Sequence, residues 1–412
     1  MKNTYNKILF PNYYDKFKCI ADKCEESCCI GWRVTIDKDT YKKYRSISDA
    51  EIKEELYGKV KRIRTKASDV NYSRIKLNED GRCPFLNENN FCDLYIKCGE
   101  EYLSNTCKVY PRTYNSVDDT LEVSLTMSCP HAAKLCLLNE NPMEFNMEEI
   151  KNEFNDVKIN KKIKTDIDYS NRLKEIFWDL RFLTINILQN RNYSLSDRLI
   201  LLGLFYNNAQ TLVEENKEKD VLDLIDKYKN NIANGLFDES LKNIPSLDEY
   251  QFKIIKEIAD SRFMKGISSA RYKECYIDFL LGLNIQDGAE QEVIFNTYKG
   301  IRKEYFDDFL SKNEHVLENY IVNLVFRNMF PMYSKSIFED YVMLIVRYAY
   351  IKAIAIGMCG KHKESFDRNH LVKIIQTFSR SVEHNNGFLN EINELLKKNG
   401  INTIAHMAIL IK

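Results

Sequence analysis

The chain has 412 residues, of which 44% are hydrophobic and 29% are charged, a composition typical of a soluble globular protein with two or three domains. Its 60 Lys and Arg residues balance its 60 Asp and Glu residues. This zero net charge argues against a dedicated nucleic-acid-binding protein, whose domains usually carry a basic excess, so we expect no nucleic-acid partner.

Residues 1–19 lack the apolar segment and the small-residue cleavage site of a secretory signal peptide. The longest apolar stretch, residues 341–359, contains Arg347 and Lys352. It therefore never reaches the ~18 uncharged apolar residues that indicate a membrane span. We expect a buried helix at this stretch, no insertion into a membrane, and a cytoplasmic location for the protein.

Cysteines are concentrated near the N-terminus, because ten of the 12 lie within the first 136 residues. In a reducing cytosol such a density indicates metal binding or catalysis rather than disulfides. The composition changes near residue 140, after which the pattern is helical. We predict a cysteine-rich metal or iron–sulfur module over residues 1–140 and an all-helical domain over residues 165–412. The polar connection between them, residues 139–168, is expected to contain a short helix around residues 147–154.

Within the first module, apolar and polar residues alternate over residues 32–36, which predicts a strand. A helix is expected over residues 40–63. Further on, residues 121–127 alternate in the same way and predict a half-buried strand. This strand is expected to pair with residues 112–115 across a turn at residues 117–119.

Beyond the connection, apolar residues recur at helical spacing and predict nine or ten helices. Ser194 or Ser196 is expected to cap one of them. Ser246 and Glu249 have the spacing of a capping box, and Gly400 is expected to end a helix. The expected fold class is mainly α, with a small cysteine-rich α+β metal-binding module followed by a multi-helix C-terminal domain.

The cysteines near the N-terminus are spaced irregularly. A C-x4-C-x3-C-C cluster comes first, and single cysteines in later loops follow it; the candidate metal ligands are Cys19, Cys24, Cys28, Cys29, Cys83, Cys92, Cys107 and Cys129. Two C-x2-C knuckles, which a zinc ribbon would show, are absent. This spacing favours an iron–sulfur cluster with thiolate ligands, with zinc as the alternative. Eight thiolates are enough for one site or two.

The remaining cysteines are not assigned to the metal site. Cys136, Cys275 and Cys359 lie in apolar helical runs, where a single cysteine usually acts as a small buried hydrophobic residue. Cys98 is also left out of the metal site. His131 follows Cys129 closely and is a further candidate ligand, although a histidine at such a place more often supports the ligands than binds the metal.

Several short runs around these cysteines resemble the flagellin lysine-N-methylase family. They comprise Pro11, Tyr13, Tyr14 and Phe17, then Gly31 and Trp32, the CPFL run from Cys83, the EYLSNTC run at residues 101–107, the YPR run at residues 110–112, and Ser128 to Pro130 with Ala132 and Ala133. The resemblance covers about the first third of the chain. The same cysteine pattern is similar to a broader group of cysteine-rich domains named for zinc or iron chelation.

This resemblance implies methyl transfer from S-adenosylmethionine to lysine side chains of flagellin in the cytoplasm, with a protein-bound [4Fe–4S] cluster on the eight matching cysteines. Two residues of the YPR run are our candidates for binding the methyl donor. The guanidinium of Arg112 suits a carboxylate, and Tyr110 offers an aromatic wall. A purely structural role is the alternative for each.

The residues do not reveal the reaction independently. No glycine-rich G-x-G-x-x-G turn is present, and the C-x3-C-x2-C spacing of radical enzymes fails because Gly31 occupies the third position. Neither a donor pocket nor a catalytic base is identified from the sequence. The alternative function is therefore a non-catalytic iron–sulfur or zinc module for redox or interaction roles.

Overall fold

A computed structural model of the chain describes residues 5–31, 34–48, 50–65, 67–150, 158–166, 172–286, 288–334 and 336–412. Helices dominate these residues, and the predicted mainly α class is confirmed. The strands, in chain order, are β1 (Lys7–Pro11), β2 (Thr35–Ile36), β3 (Val60–Arg62), β4 (Ser73–Ile75), β5 (Arg112–Val117), β6 (Thr120–Leu125), β7 (Phe145–Glu149) and β8 (Ile159–Ile163).

These strands form two sheets. The larger sheet has the order β7-β1-β6-β5-β8, and the smaller has the order β2-β4-β3. The helices of the N-terminal third are α1 (Lys38–Ser46), α2 (Ala50–Leu56), α3 (Asp93–Cys98), α4 (Asn105–Val109) and α5 (Pro130–Leu137). Those that follow are α6 (Phe177–Leu188), α7 (Leu195–Glu214), α8 (Val221–Ala233), α9 (Asp238–Lys242), α10 (Asp248–Met264), α11 (Ala270–Gly282), α12 (Gln291–Ile301), α13 (Asp307–Arg327), α14 (Ile337–His362), α15 (Arg368–Phe378), α16 (Asn386–Lys398) and α17 (Ile404–Ile411).

The predicted hairpin is confirmed as β5 and β6, which pair antiparallel with Arg112 opposite Leu125 and Val117 opposite Thr120. The prediction that β6 is half-buried was wrong, because both of its faces are buried. Val123 lies in an apolar cluster on one side. On the other side, Glu122 forms an ion pair with Arg181 of α6. The polar residues of the alternation therefore face other elements rather than water.

The single helix predicted over residues 40–63 was wrong, because α1 ends at Ser46, α2 begins only at Ala50, and no helix continues beyond Leu56. The carboxylate of Asp37 accepts the backbone N–H of Thr40 at 2.8 Å and caps α1. After α2 the chain passes through Gly58 at a φ of 82°, and the basic run that follows enters β3, which pairs with β4. Of the strand predicted over residues 32–36, only β2 is described, because Trp32 and Arg33 lie outside the described residues.

The helix predicted around residues 147–154 was also wrong where the structure describes it. Residues 145–149 form β7, which pairs antiparallel with β1 at the edge of the larger sheet. Residues 151–154 lie outside the described residues. Backbone pairing with a distant strand has replaced the local helical preference, which is a weak determinant when tertiary contacts compete with it.

Among the described residues after residue 165 there are twelve α-helices, α6 to α17, more than the nine or ten predicted. Ser194 caps α7 by accepting the backbone N–H of Asp197 at 3.2 Å, as predicted. Gly400, at a φ of 66°, follows α16, also as predicted. The capping box at Ser246 was wrong, because its hydroxyl donates to the Asp248 carboxylate instead, and α10 begins without a side-chain cap.

The core of the helical part is built around α14, and the buried helix predicted there is confirmed. Residues 337–365 include a helix long and apolar enough to cross a membrane, but the apolar window that meets this test is completely buried inside the protein. Cys136, Cys275 and Cys359 are all buried, as expected for small hydrophobic residues. Helix α5, from the first predicted module, packs against α13 and α15 and contributes to the same apolar core.

Candidate active site

A cleft of about 680 Å³ lies where the hairpin of the larger sheet meets the cysteine-rich loops and the helical part. This volume is within the range of pockets that bind small molecules. Several elements supply its walls: Tyr110 comes from the end of α4, Arg112 begins β5, Lys161 lies on β8, Arg327 ends α13, and His384 precedes α16. Residues from both predicted modules therefore face one another across the cleft.

Ser128 is the centre of a hydroxyl network beside the cleft. Its Oγ lies 3.1 Å from Tyr110 Oη, 3.2 Å from Thr126 Oγ1 and 2.9 Å from His384 Nε2. Gln376 donates to the Ser128 carbonyl at 3.0 Å. These contacts tie the loop that precedes α5 to the C-terminal helices.

An ion pair between Arg327 and Glu383 forms another part of the cleft wall. Arg327 Nη2 lies 2.7 Å from Glu383 Oε2, and Arg327 Nη1 donates to Thr126 Oγ1 at 2.9 Å. Tyr320 donates to the second Glu383 oxygen at 2.5 Å. Burial raises the pKa of Glu383, but Arg327 and Arg347 outweigh burial and hold this pKa below its usual value. The carboxylate therefore stays ionised, and its charge is compensated by Arg327.

The two residues predicted to bind a cofactor, Tyr110 and Arg112, both line the cleft. The Arg112 guanidinium lies 5.4 Å from the ring centre of Phe17 and 5.9 Å from that of Tyr14. No carboxylate forms an ion pair with Arg112 within the parts of the chain that the structure describes. The guanidinium can therefore serve an anionic group of a ligand.

Two lysines complete the basic lining of the cleft, Lys158 and Lys161. Burial lowers the pKa of Lys161, while Asp340 acts in the opposite direction. The Nζ of Lys161 lies 5.3 Å from the ring centre of Tyr333. Since Glu383 is paired with Arg327 and Asp37 caps α1, the cleft offers mainly positive charge to a ligand.

Four of the eight predicted metal ligands lie in one neighbourhood. Cys29, Cys83, Cys92 and Cys107 all belong to a small apolar cluster around the smaller sheet, which also includes Cys98. Burial, together with smaller contributions from the other three thiols, raises the pKa of the Cys83 thiol to about 12. Burial likewise raises the pKa of Cys107 to about 12. These four thiols are close enough to influence one another's ionisation.

A second neighbourhood contains Cys19, Cys24 and Cys129. Burial, with smaller contributions from Cys24 and Cys19, raises the pKa of Cys129 to about 11. Cys28 lies between the two neighbourhoods, because its hydrogen bond with Cys29 and its burial raise its pKa, and Cys107 and Cys19 contribute as well. Cys28 thus links the two groups of thiols.

All-thiol surroundings of this kind suit iron–sulfur clusters and zinc by donor chemistry. However, no three Cys, His, Asp or Glu side chains converge closely enough to hold a metal ion in the described parts of the chain. The metal ligands therefore stay a prediction. The ring of His131, the further candidate, packs against Phe17 with 5.8 Å between ring centres.

The cysteine-rich loop at residues 24–31 is held against the helical part. Arg380 donates to the carbonyl of Ser27 at 3.1 Å and also to that of Ile30. The Glu26 carboxylate accepts from Ser269 at 2.7 Å and from Gln376 at 2.8 Å. Tyr110 lines the cleft, and burial, with smaller contributions from Cys129 and Cys28, raises the pKa of its hydroxyl.

The sequence did not identify His384, Arg327 and Glu383 as site residues. The sequence around His384 has no cysteine or histidine at metal-ligand spacing. The partner of His384, Ser128, is 256 positions away in the chain, so no local pattern joins the two. The only sequence signal near this part of the cleft was the Cys129–Pro130 run beside Ser128.

Comparison with known proteins gives consistent matches. A family model described as the FliB lysine N-methylase C-terminal domain matches residues 181–410. The chain is 20% identical over 387 residues to the lysine-N-methylase of Salmonella typhimurium strain LT2, covering 92% of both chains. A lysine-N-methylase of Salmonella choleraesuis strain SC-B67 has the same identity and coverage.

A shorter match reaches the flagellar biosynthetic protein FliU of Salmonella muenchen, at 31% identity over 137 residues. It covers 33% of this chain and 80% of FliU. No solved structure gives a significant match. The similarity to lysine N-methylases thus extends well beyond the N-terminal third that carries the resemblance in the sequence.

Proposed function

Since this chain belongs to the FliB lysine N-methylase family, we propose that it transfers methyl groups from S-adenosylmethionine to lysine side chains of flagellin. The family model covers more than half of the chain, and two full-length relatives are named lysine-N-methylases. The protein is thus a protein-lysine N-methyltransferase. The identity of the donor, the identity of the acceptor and the metal cofactor are what the proposal adds.

The cleft is the observation that carries the proposal for the methyl donor. S-adenosylmethionine has a carboxylate at one end and a positive sulfonium at its centre. Arg112 offers a guanidinium fork to the carboxylate, and it stands against the rings of Tyr14 and Phe17. The aromatic faces of Tyr110 and Tyr333, which also line the cleft, suit a sulfonium through cation–π attraction.

Methyl transfer from a sulfonium needs alignment more than new covalent chemistry. The acceptor nitrogen, the methyl carbon and the leaving sulfur must lie in line, and such positioning can supply a large share of the rate enhancement. Walls from both parts of the chain meet at this cleft, which allows the donor to be held from one side while the lysine enters from the other.

Flagellin as the acceptor is supported by the flagellar name of one relative and by the sequence resemblance. Flagellin is made in the cytoplasm before export, so we propose that the enzyme acts there. A non-catalytic redox or interaction module was the alternative from sequence. It is less favoured, because the matching family and both full-length relatives carry the name of the enzyme.

We further propose that the cysteines bind an iron–sulfur cluster. Cys29, Cys83, Cys92 and Cys107 would be the ligands of one site, because they share a neighbourhood and come from separate loops. Cys19, Cys24, Cys28 and Cys129 would supply a second site. A bound cluster or zinc ion would fix these loops against one another and so stabilise the wall of the cleft that contains Tyr110.

The enzymatic part is tested with purified protein, flagellin and S-adenosylmethionine carrying a labelled methyl group. Mass spectrometry of flagellin peptides is expected to show labelled lysines in steps of one methyl group. Arg112→Ala should raise the KM for the donor about tenfold or more, since hydrogen bonds to a charged group contribute roughly 1.5–3 kcal/mol. Arg45→Ala on the exposed face of α1 is the matched control and should leave it unchanged. Absence of methylation by metal-loaded wild-type protein would refute the proposal.

The metal is tested on protein purified without oxygen, by iron, zinc and sulfide analysis together with visible absorption. Cys83→Ser should lower the metal content, whereas Cys98→Ser, in the same apolar cluster, should not. Iron with sulfide and a visible charge-transfer band would support the cluster, and zinc alone would support the alternative. Protein free of both metals would contradict the assignment of all eight cysteines.

A further inference from the structure

Lysine methylation requires loss of a proton that nothing in the sequence accounted for. A lysine side chain is an ammonium at neutral pH, with a usual pKa of about 10.4, and the ammonium has no lone pair to attack a methyl group. We propose that His384 is the base that removes this proton in the cleft. This inference rests on the proposed lysine methylation and adds the catalytic base to it.

The position of His384 meets the first requirement of such a base, which is contact with the substrate. It lines the cleft, and its side chain is exposed there. The segment Ser379–Glu383 continues α15 and delivers His384 to the cleft wall. His384 is therefore accessible to a lysine side chain that enters the cleft.

The hydroxyl network holds the imidazole in place. His384 Nε2 lies 2.9 Å from Ser128 Oγ, which in turn contacts Tyr110 and Thr126. When Nε2–H donates to Ser128, Nδ1 is left with the lone pair and becomes the basic nitrogen. This arrangement resembles other sites in which a fixed partner on one ring nitrogen selects the role of the other.

The charged groups around His384 keep the imidazole neutral. Protein atoms surround it although it faces the cleft, and this loss of bulk water lowers its pKa below the usual value. Arg327, at the end of α13, lowers the pKa further, and Arg380 on the preceding turn does the same. Glu383 acts in the opposite direction, but it is paired with Arg327. The base is thus in its proton-accepting form at neutral pH.

The same positive surroundings act on the incoming lysine. A nearby positive charge disfavours a second one, so a lysine ammonium bound near Arg112, Arg327 and Lys161 should have a lowered pKa. The sulfonium of the donor adds to this effect. Proton transfer from the lysine to His384 is therefore far less unfavourable in the cleft than in water.

Other groups in the cleft are less suited to the task. Burial raises the pKa of Tyr110, so its hydroxyl keeps its proton. Glu383 is held by Arg327 and Tyr320. Among the described residues that line the cleft, Lys161 is the remaining rival, since burial lowers the pKa of its amine.

The reaction balances in two steps. An N–H bond of the lysine ammonium breaks, its electron pair stays on nitrogen, and the proton moves to the imidazole. The amine lone pair then forms a bond to the methyl carbon while the carbon–sulfur bond breaks and leaves a neutral thioether. The products are a methylammonium and an imidazolium, which returns its proton to solvent through the open cleft before the next turnover.

The test measures kcat on flagellin with saturating S-adenosylmethionine from about pH 4.5, below the usual histidine pKa, to about pH 10, near the usual lysine pKa. His384→Gln should lower kcat about 100-fold near neutral pH, the lower range for loss of a general base, with little change in the KM for the donor. The deficit should shrink as pH rises, because the acceptor lysine then loses its proton to solvent. Added imidazole should restore part of the rate at neutral pH.

His362→Gln is the matched control. His362 lies on the helical part beside Asp278, with 3.0 Å between Nε2 and the carboxylate, and its loss should leave kcat and the pH profile unchanged. The wild-type enzyme should itself lose activity as pH falls through the lowered pKa of His384. This acid limb is measured without any substitution, so it tests the inference even if a variant fails to fold.

The inference would be overturned by a His384→Gln enzyme with the wild-type rate, by a deficit of the same size at every pH, or by transfer of the pH effect to Lys161→Met. A wild-type enzyme that methylates flagellin without an acid limb would also overturn it. Failure of the wild-type protein to methylate at any pH would instead refute the proposed function, so the two failures can be told apart.

Discussion

Asp340, at the first turn of α14, is a buried carboxylate with no cation close enough to form an ion pair among the described residues. It is 6% exposed and accepts the backbone N–H groups of Tyr333 at 2.7 Å and Ser334 at 2.9 Å. Burial raises its pKa from 3.8 to about 6, although these hydrogen bonds act to lower it. The folded protein therefore holds this proton more tightly than the unfolded chain does.

This shift predicts a pH dependence of stability. Between about pH 4 and pH 6 the folded state binds more protons than the unfolded state, so the contribution of Asp340 to stability falls as pH rises, by at most about 3 kcal/mol. In urea unfolding, the unfolding free energy of the wild type minus that of Asp340→Asn should fall as pH rises through this window. Asp226→Asn, at an exposed position, is the control. A constant difference between wild type and Asp340→Asn would contradict the prediction.

The site residues were predictable only where they lie beside a recognisable run. Tyr110 and Arg112 follow Cys107 within a short matching segment, and both line the cleft. His384 follows the helical segment 379–383 and Arg327 ends α13, and tertiary packing brings them against Ser128 and Thr126 respectively. Because partners so far apart in the chain leave no periodic pattern, a single sequence offers no signal for them.

At the scale of elements, the crossing of α11 and α14 depends on glycines. A Cβ built on Gly357 would lie 2.4 Å from Phe279 Cδ2 and 3.0 Å from the Phe279 carbonyl oxygen. A Cβ on Gly282 would lie 1.9 Å from the Gly357 carbonyl oxygen. The two helix backbones therefore approach too closely for larger residues.

Gly357→Ala should destabilise the protein by about 1–3 kcal/mol, the usual cost of overpacking a tight core. This loss opposes the gain of up to about 1 kcal/mol that alanine gives over glycine inside a helix. Gly300→Ala on α12, where a Cβ meets nothing within 4 Å, is the matched control and should be neutral or stabilising. Thermal unfolding of both variants measures the contrast. Equal stabilisation by both would show that the helices can separate at no cost.

Elements with a strong local signal were predicted well, and those decided by distant pairing were not. The hairpin of β5 and β6 has alternating residues and a tight turn, and Ser194 caps α7 through its immediate neighbours. In contrast, β7 exists because it pairs with β1, and β3 because it pairs with β4. Lysine and glutamate in these segments favour helix locally, but the sheet hydrogen bonds outweigh that preference.

At the scale of the whole molecule, the two predicted modules share an apolar core and side-chain hydrogen bonds in addition to the chain segment that connects them. Ala132, Ala133 and Leu137 of α5 belong to the apolar core that includes α14. The cysteine-rich loop is held by Arg380 and Gln376. The smaller sheet, by comparison, has an apolar cluster of its own. The boundaries at residues 140 and 165 are thus a prediction that an experiment can decide.

Expression of residues 165–412 alone tests whether the helical domain folds independently. Without α5 and β6, the faces of α13 and α15 that they cover would be exposed to water, and each buried side chain of this kind contributes about 1.5–3 kcal/mol. Because a domain is stable by only about 5–15 kcal/mol, the fragment should bind a hydrophobic dye and unfold without a sharp transition. Coexpression with residues 1–164 should restore a complex that copurifies and unfolds cooperatively. If the fragment alone unfolds cooperatively and binds no dye, the helical part is an independent domain, and the core shared with α5 is dispensable for its fold.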